Sequence, residues 1–335
     1  MINTQVLLAR RPQGKPVAED FRVVENEVRP IREGEALMEN QFISLDAGFR
    51  NWMDEGAGDD VLPAMALEEP VMGLVAGKVL ESNRDDMRVG EVLVGRLFWE
   101  TYSIAGPGDL LTPIQEKYKL SANLFLGVMG DTGLSAYFGL IRVGNLKPGE
   151  TLLVSAAGGA VGNAAGQIGK ALGAGRVVGF AGSDDKCRWL ENEVGYDATI
   201  NYKAGDVDAA IARACPDGVD VYFDNVGGDL LEPVLNHINY QARIPFCGAV
   251  ADYTATEGSG PSNLFRLVAD CGRLEGFMTH YWMDDYEAAR DVLAGWLSDG
   301  SLKNYEARYQ GVEKCGQAFE DLFEGGNFGK AIVEV

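Results

Sequence analysis

The chain has 335 residues, 46% of them hydrophobic and 24% charged. It is too apolar to be disordered and long enough for about two domains of ~150 residues, each with its own core. Lys and Arg total 29 against 50 Asp and Glu, a formal net charge of −21. A field of that sign repels phosphate backbones and anionic lipid surfaces, so it argues against a nucleic-acid or membrane partner, while leaving room for a local basic pocket for one small anion.

The opening stretch MINTQVLLARRPQGKP lacks the apolar run and cleavage site of a signal peptide. The longest uncharged run, 151–169, holds too much Gly, Ala, Asn and Gln for a membrane span. Cys187, Cys215, Cys247, Cys271 and Cys315 are odd in number and widely spread, with no C-x-x-C. They read as reduced thiols of a cytoplasmic protein.

Over the first ~125 residues, short apolar runs broken by Gly and Pro predict strands of an irregular β-rich domain: ALMENQFISL, VMGLVAGKVL, EVLVGRLFW and YSI. A different pattern runs from about Asp131 to Ser298. Strands are predicted at TLLVSA, RVVGFAG, ATINY, VDVYFDNV, ARIPFCGAV and RLEGFM. Between most of them lie helical stretches: AVGNAAGQIGKALG, DDKCRWLENEVG, DVDAAIARAC, GDLLEPVLNHIN and SNLFRLVADC. Such alternation implies an α/β domain with a parallel sheet covered on both faces. DDYEAARDVLAGWLSDG predicts a last helix, and the terminal AIVEV a strand returning to the first domain. Gly-rich patches at 56–60 and 254–261 read as loops. There are no tandem repeats and no low-complexity tail.

The turn Ala157-Gly158-Gly159-Ala160-Val161-Gly162 follows the first strand of the alternating region. It is an A-x-G-x-x-G form of the dinucleotide fingerprint, with strand, turn, helix and second strand in order. Gly159 lets the backbone approach a pyrophosphate seated on the N–H groups of the next helix. Gly162, Gly166, Gly169 and Gly173 recur at helical spacing and predict one close-packing helix face. The second strand ends in Ala181-Gly182-Ser183, without the acidic residue that an NAD site uses for the ribose 2′-hydroxyl. That leaves room for a 2′-phosphate, with Lys186 as a cation, and tips the balance toward NADP. The plainer reading of Asp184, Asp185 and Lys186 is a solvated helix start with acids well placed at it.

A metal site finds no ligand set. The two histidines, His237 and His280, lack a partner at zinc spacing, and the cysteines are too far apart. G-x-S-x-G is also absent. Redox chemistry would therefore use an organic cofactor.

The strings SLDAGFR (44–50), MGLVAGKVLES (72–82), SAAGGAVGNAAGQIGKALG (155–173), VVGFAGSDDKCRWL (177–190), INYK (200–203), DVYFDNVGGDLLEPVL (220–235), ARIPFCGAV (242–250), GRLEGFM (272–278) and GNFGKAIVEV (326–335) resemble the zinc-independent medium-chain dehydrogenase/reductases. Within that superfamily they are similar to the NADPH-dependent alkene reductases: prostaglandin reductases, alkenal double-bond reductases and curcumin reductase. The resemblance runs nearly end to end. It implies a GroES-like β-rich substrate domain formed by 1–125 and 301–335, a Rossmann doubly wound parallel-sheet domain at 126–300 that binds NADP, and a homodimer.

Carried over position by position, the resemblance puts Gly159, Ala160, Val161, Gly162 and Asn163 at the pyrophosphate turn. Lys186 and Tyr202 fall at the 2′-phosphate. It sets Asn225 at the end of the fourth strand and Phe277, Met278 and Thr279 at the next strand end, all as cofactor-binding residues, and puts the loop with Cys247, Gly248, Ala249 and Tyr253, and Asn327, by the nicotinamide. Tyr253 matches a tyrosine that meets the substrate oxygen or the cofactor ribose, and is the candidate catalytic residue; the plainer reading is an aromatic lining the cleft. Two departures fall on the substrate side. Gly48 replaces the tyrosine of an S-L-D-P-Y-M-R pattern, and Gly130-Asp131-Thr132-Gly133 replaces G-M-P-G. Gly48 and Asp131 are thus candidate pocket residues, although Gly48 could simply serve a tight turn with Phe49 filling the space.

The activity implied is NADPH-dependent reduction of a carbon–carbon double bond conjugated to a carbonyl. Quinone reduction or zinc-independent ketone/alcohol interconversion on the same scaffold is the enzymatic alternative. An NADPH-binding structural or regulatory protein is the non-enzymatic one.

Overall fold

The computed structural model describes residues 1–59, 62–255 and 258–335. The predicted loops at 56–60 and 254–261 fall partly outside the described residues, at Asp60, Thr256 and Glu257. The chain divides into two compact units, 1–127 with 306–335, and 128–305.

The first unit opens with β1 (Ile2–Leu8) and β2 (Phe21–Glu27), an antiparallel pair that the apolar runs do not announce. The predicted strands follow as β3 (Ala36–Ser44), β4 (Met72–Ser82), β5 (Val92–Phe98) and β6 (Tyr102–Ala105), with a short β7 (Leu111–Pro113). β4 pairs antiparallel with both β3 and β5.

The second unit starts with α1 (Asp131–Phe138), β8 (Thr151–Val154), α2 (Ala160–Ala171) and β9 (Arg176–Ala181). It continues through α3 (Asp184–Trp189), β10 (Ala198–Asn201), α4 (Val207–Ala214), β11 (Val219–Phe223) and α5 (Gly228–Leu235). It ends with β12 (Ile238–Phe246), α6 (Phe265–Ala269), β13 (Arg273–Gly276) and α7 (Tyr286–Asp299). The six strands form a parallel sheet in the order β10-β9-β8-β11-β12-β13. Leu152, Leu153 and Val154 of β8 are fully buried, as a central strand covered on both faces requires. The strand order reverses between β8 and β11, and the carboxyl ends of those strands are where such sheets take ligands.

Helix boundaries differ from expectation in three places. DDKCRWLENEVG is not one regular helix, because α3 stops at Trp189 and widens into a π turn over Leu190–Val194. GDLLEPVLNHIN ends its helix at Leu235, since Ile238 and its neighbours already belong to β12. Helix α6 covers only five residues of SNLFRLVADC.

The chain then returns to the first unit as β14 (Glu306–Gln310), α8 (Cys315–Glu324) and β15 (Lys330–Glu334). β15 pairs antiparallel with β3, so the terminal strand returns as predicted. The sheet runs β14-β15-β3-β4-β5-β7, with β6 on β3. Its core centres on Trp99, 1% exposed, whose ring lies 5.4 Å from those of Phe21 and Phe319. This aromatic cluster fastens α8 and the start of β2 to the sheet, and buried aromatic area of this kind dominates core energetics.

Candidate active site

The turn after β8 is tight. Ala156 takes a left-handed φ of 46°, and Gly159 caps α2 after donating its N–H to the Ala156 carbonyl at 2.9 Å. A Cβ at Gly162 would lie 2.2 Å from the same oxygen, which only glycine avoids. Gly166 and Gly169 are equally closed, with a Cβ 2.3 Å from the Tyr196 ring and 2.4 Å from Leu152. Gly173 departs from the predicted glycine face. The helix ends at Ala171, and Gly173 takes φ 89° beyond its C-terminus. Asn163 turns its side chain back along the helix, donating to the carbonyls of Gly159 at 2.6 Å and Ala160 at 3.0 Å. The first turn of α2, with Ala160 and Val161, thus presents its N–H groups at the carboxyl end of β8, a setting made for an anion.

A second basic feature lies at the end of β9. The Lys186 stem runs over Gly158, where a Cβ would meet its Cδ at 3.1 Å. A Cβ on Gly182 would stand 3.1 Å from the Tyr202 hydroxyl and 3.5 Å from the Lys203 ammonium. Burial, and then the neighbouring Lys203 charge, pushes Lys186 down to about 8. Two ammonium groups and a phenol around one strand end are costly without an anion, so these residues fit a 2′-phosphate, which would relieve both burial and repulsion. The nearby acids are engaged elsewhere. Asp184 accepts from Asn201 at 2.6 Å, and Asp185 pairs with Arg188. Lys203 was not among the expected site residues; its adjacency to Tyr202 in INYK was the available signal.

At the carboxyl ends of β11 and β12, the fully buried Asp224 organises the backbone. Its Oδ1 accepts from the Ser155 hydroxyl at 2.9 Å and, at 3.0 Å each, from the Tyr222 hydroxyl and the N–H groups of Val226 and Gly227. Burial pushes this carboxyl up. Asn225 is fixed beside it, its amide donating to the Ser155 carbonyl at 2.8 Å. The following loop is laced to the same residues, through Cys247 N–H to the Asp224 carbonyl at 2.8 Å and Val250 N–H to the Asn225 carbonyl at 3.2 Å. Asn225, Cys247, Gly248 and Ala249 therefore form one hydrogen-bonded assembly. Ser155 and Asp224 carry it, and neither stood out by residue type alone.

The Tyr253 hydroxyl comes over Gly248, where a Cβ would sit 3.2 Å away. Burial raises this phenol, so it stays a proton donor, and the Ala249 backbone hydrogen-bonds it. Burial, reinforced by Asp131 and Asp224, pushes the Cys247 thiol up to about 12, which leaves it inert as a nucleophile. Phe277 packs edge-on against Phe223 with centroids 6.4 Å apart, and Met278 is 46% exposed. Thr279 is buried and donates to Asp131 Oδ1 at 2.7 Å.

Gly48 and Asn327 lie in the first unit. Apart from its two chain neighbours, Gly48 has nothing within 4 Å of a Cβ position, and it takes no left-handed φ. Phe49 is 7% exposed, belongs to the core and meets Trp52 edge-on at 5.8 Å. Asn327 is buried and donates to the Gly329 carbonyl at 2.8 Å. His237 pairs with Asp208 at 3.2 Å, and His280 is exposed beside Tyr281. Among the described residues, no three of His, Cys, Asp and Glu converge in a way that could hold a metal ion.

A glycine turn on a helix N-terminus, a cationic end to the second strand and a laced loop at the sheet's switch point define a dinucleotide-dependent oxidoreductase. The family model described as the N-terminal domain of oxidoreductase matches residues 4–114, and the one described as zinc-binding dehydrogenase matches 160–295. The NADPH-dependent curcumin reductase of Escherichia coli is 37% identical over 99% of this chain and 97% of that protein. The NADP-dependent 2-alkenal reductase of Nicotiana tabacum is 34% identical over 99% of this chain and 97% of that protein. The crystal structure of CurA from Vibrio vulnificus in complex with NADPH superposes with a TM-score of 0.90 at 34% identity, covering 99% of each chain. This chain belongs to the medium-chain dehydrogenase/reductases, in the NADPH-dependent alkene reductase group.

Proposed function

We propose that the protein reduces the carbon–carbon double bond of α,β-unsaturated ketones and aldehydes with NADPH. The observation that carries the cofactor choice is the Lys186–Lys203–Tyr202 cluster at the end of β9, where Lys186 is depressed to about 8 by burial and its cationic neighbour. When bound, NADPH supplies a hydride to the β-carbon of the enone. Ala160, Val161 and Gly162 hold its pyrophosphate through backbone N–H groups, and Gly159 keeps the approach open. Asn163 braces that turn from within the helix. Lys186, Tyr202 and Lys203 hold the 2′-phosphate. Asn225, Cys247, Gly248, Ala249, Phe277, Met278 and Thr279 shape the nicotinamide end, with Cys247 serving through its backbone, and Asn327 is assigned to cofactor binding by its match to the family pattern.

Tyr253 is the catalytic residue in this reading. Its neutral phenol donates a hydrogen bond to the substrate carbonyl oxygen as negative charge develops there, and it can hand a proton on toward the α-carbon. Gly48 of the first unit and Asp131 of the second are each assigned to substrate selection by their match to the family pattern.

A homodimer is supported by β13, the outer strand of the parallel sheet, which is exposed along its whole length. In α6, the segment that leads into it, Phe265 and Val268 are 76% and 66% exposed, and a second copy would cover such apolar surface. The cytoplasm suits five free cysteines. Among the described residues, no helix is long and apolar enough to cross a membrane.

The test is product analysis with a panel of enones. Saturated ketone formed with NADPH consumption supports the reading. An allylic alcohol places the enzyme among carbonyl reductases, and nucleotide binding without turnover across the panel favours a non-enzymatic role.

A further inference from the structure

We propose that Asp131 is a specificity residue that makes the enzyme favour neutral and cationic conjugated carbonyls over those carrying a carboxylate near the reacting bond. The inference rests on the reading of the site given above. Asp131 is the first residue of α1 and is exposed, yet its carboxylate is not loose. Thr279, buried as the first residue of the 3-10 helix Thr279–Asp285 that follows β13, donates to Oδ1 at 2.7 Å, and the Tyr286 hydroxyl donates to Thr279 at 2.9 Å. The Thr279 hydrogen bond holds the anion in place, and Tyr286, donating to the Thr279 oxygen, fixes that hydroxyl's orientation. Its charge reaches the loop that carries Tyr253. After burial, Asp131 is the next largest influence raising the Cys247 thiol. Asp131 thus stands among Cys247, Thr279 and the nicotinamide-end loop, where the family pattern G-M-P-G has an uncharged methionine.

Arg290 brings a cation to this neighbourhood, yet at the Tyr286 hydroxyl the Asp131 charge outweighs it. From α7, Arg290 donates Nε to the Met129 carbonyl at 3.0 Å and lies over the Tyr286 ring at 5.5 Å. Asp224, behind Cys247, adds a second negative charge that also raises the thiol. A substrate carboxylate brought into this region meets like charge, whereas a neutral or ammonium-bearing substrate does not.

The experiment uses three aryl enones of the same skeleton bearing a carboxylate, a hydroxymethyl or an aminomethyl group on the ring. kcat/KM with NADPH is measured for the parent and for Asp131→Asn, which keeps the shape and removes the charge. The parent should favour the neutral over the carboxylate-bearing enone by about five- to tenfold at low salt, an amount expected of one charge at a few ångströms in a partly wet site. Asp131→Asn should bring that ratio to within twofold of one, and high salt should narrow it in the parent but not in the variant. Equal efficiencies in the parent, or an unchanged ratio in a folded Asp131→Asn, would overturn the inference while leaving enone reduction standing. A parent that reduces none of the three would overturn both.

Discussion

Lys330, 2% exposed, places its ammonium 2.6 Å from Asp46 Oδ1 and 2.8 Å from the Leu45 carbonyl. Asp46 also accepts from Ser44. These contacts fasten the start of β15, three residues past Asn327, to the segment that leads into Gly48. Two stretches distant in sequence are thereby held in register within one unit. Lys330→Met should cost about 2–3 kcal/mol of stability. That is less than the ~3–5 of a fully enclosed pair, because the Asp46 side chain is 30% exposed and can take up water. Urea unfolding checks this, and a loss under 0.5 kcal/mol would show that the pair contributes little.

NADPH preference should depend on pH. Lys186 sits at about 8 in the free protein, below its ordinary value. Below that point it is protonated and can bind a 2′-phosphate; above it, the free enzyme must take up a proton to do so. KM for NADPH should therefore rise above pH 8 while KM for NADH changes little, and Lys186→Ala should abolish the difference. In the cofactor-free protein the sign for stability is opposite. The unfolded chain binds more protons between about 8 and the ordinary lysine value, so this group's contribution to stability grows with pH across that window. An NADPH-to-NADH ratio of KM values that stays flat from pH 7 to 9.5 would contradict the assignment.

Gly48→Tyr meets no left-handed φ, and apart from its chain neighbours no atom lies within 4 Å of its Cβ, so folding is the first check on the variant. It should lower kcat/KM for bulky aryl enones and spare or improve it for small alkenals. The added ring removes volume that apolar substrate area would otherwise fill at ~25 cal/mol per Å². A folded variant with the same bulky-to-small ratio as the parent would remove Gly48 from the pocket.

Tyr253→Phe should reduce kcat about 10²-fold, the low end for loss of a positioned acid, with KM for NADPH altered less than threefold. The split matters because a purely structural loop residue would disturb cofactor binding as well. A kcat within twofold of the parent would make Tyr253 a lining residue only.

Prolonged treatment with a strong chelator should leave both activity and melting temperature unchanged, although one matching family model is described as zinc-binding. Stoichiometric zinc in active protein, lost together with activity, would refute this.

The parallel sheet was legible because its strands are short, continuous apolar runs such as Leu152–Val154, and its helices carry small or amphipathic faces. β2 was not, since Phe21–Glu27 buries little of either face and reads as polar loop. β7 has three residues and β14 only partial burial, too little pattern for either to show. The glycine turn and Lys186 could be found by type and spacing. Asp224, Ser155, Lys203 and Lys330 act through contacts between residues far apart in sequence, which spacing along the chain does not encode. Gly173 was misplaced because glycine spacing continues smoothly across the end of α2, where the structure uses it for a left-handed turn.

The most direct test of enone reduction is a single turnover of a neutral aryl enone with NADPH deuterated at the transferable position, read by NMR of the product. One deuterium at the β-carbon of a saturated ketone, with solvent hydrogen at the α-carbon, is the predicted result. Deuterium on the carbinol carbon of an allylic alcohol, with the double bond intact, would contradict it.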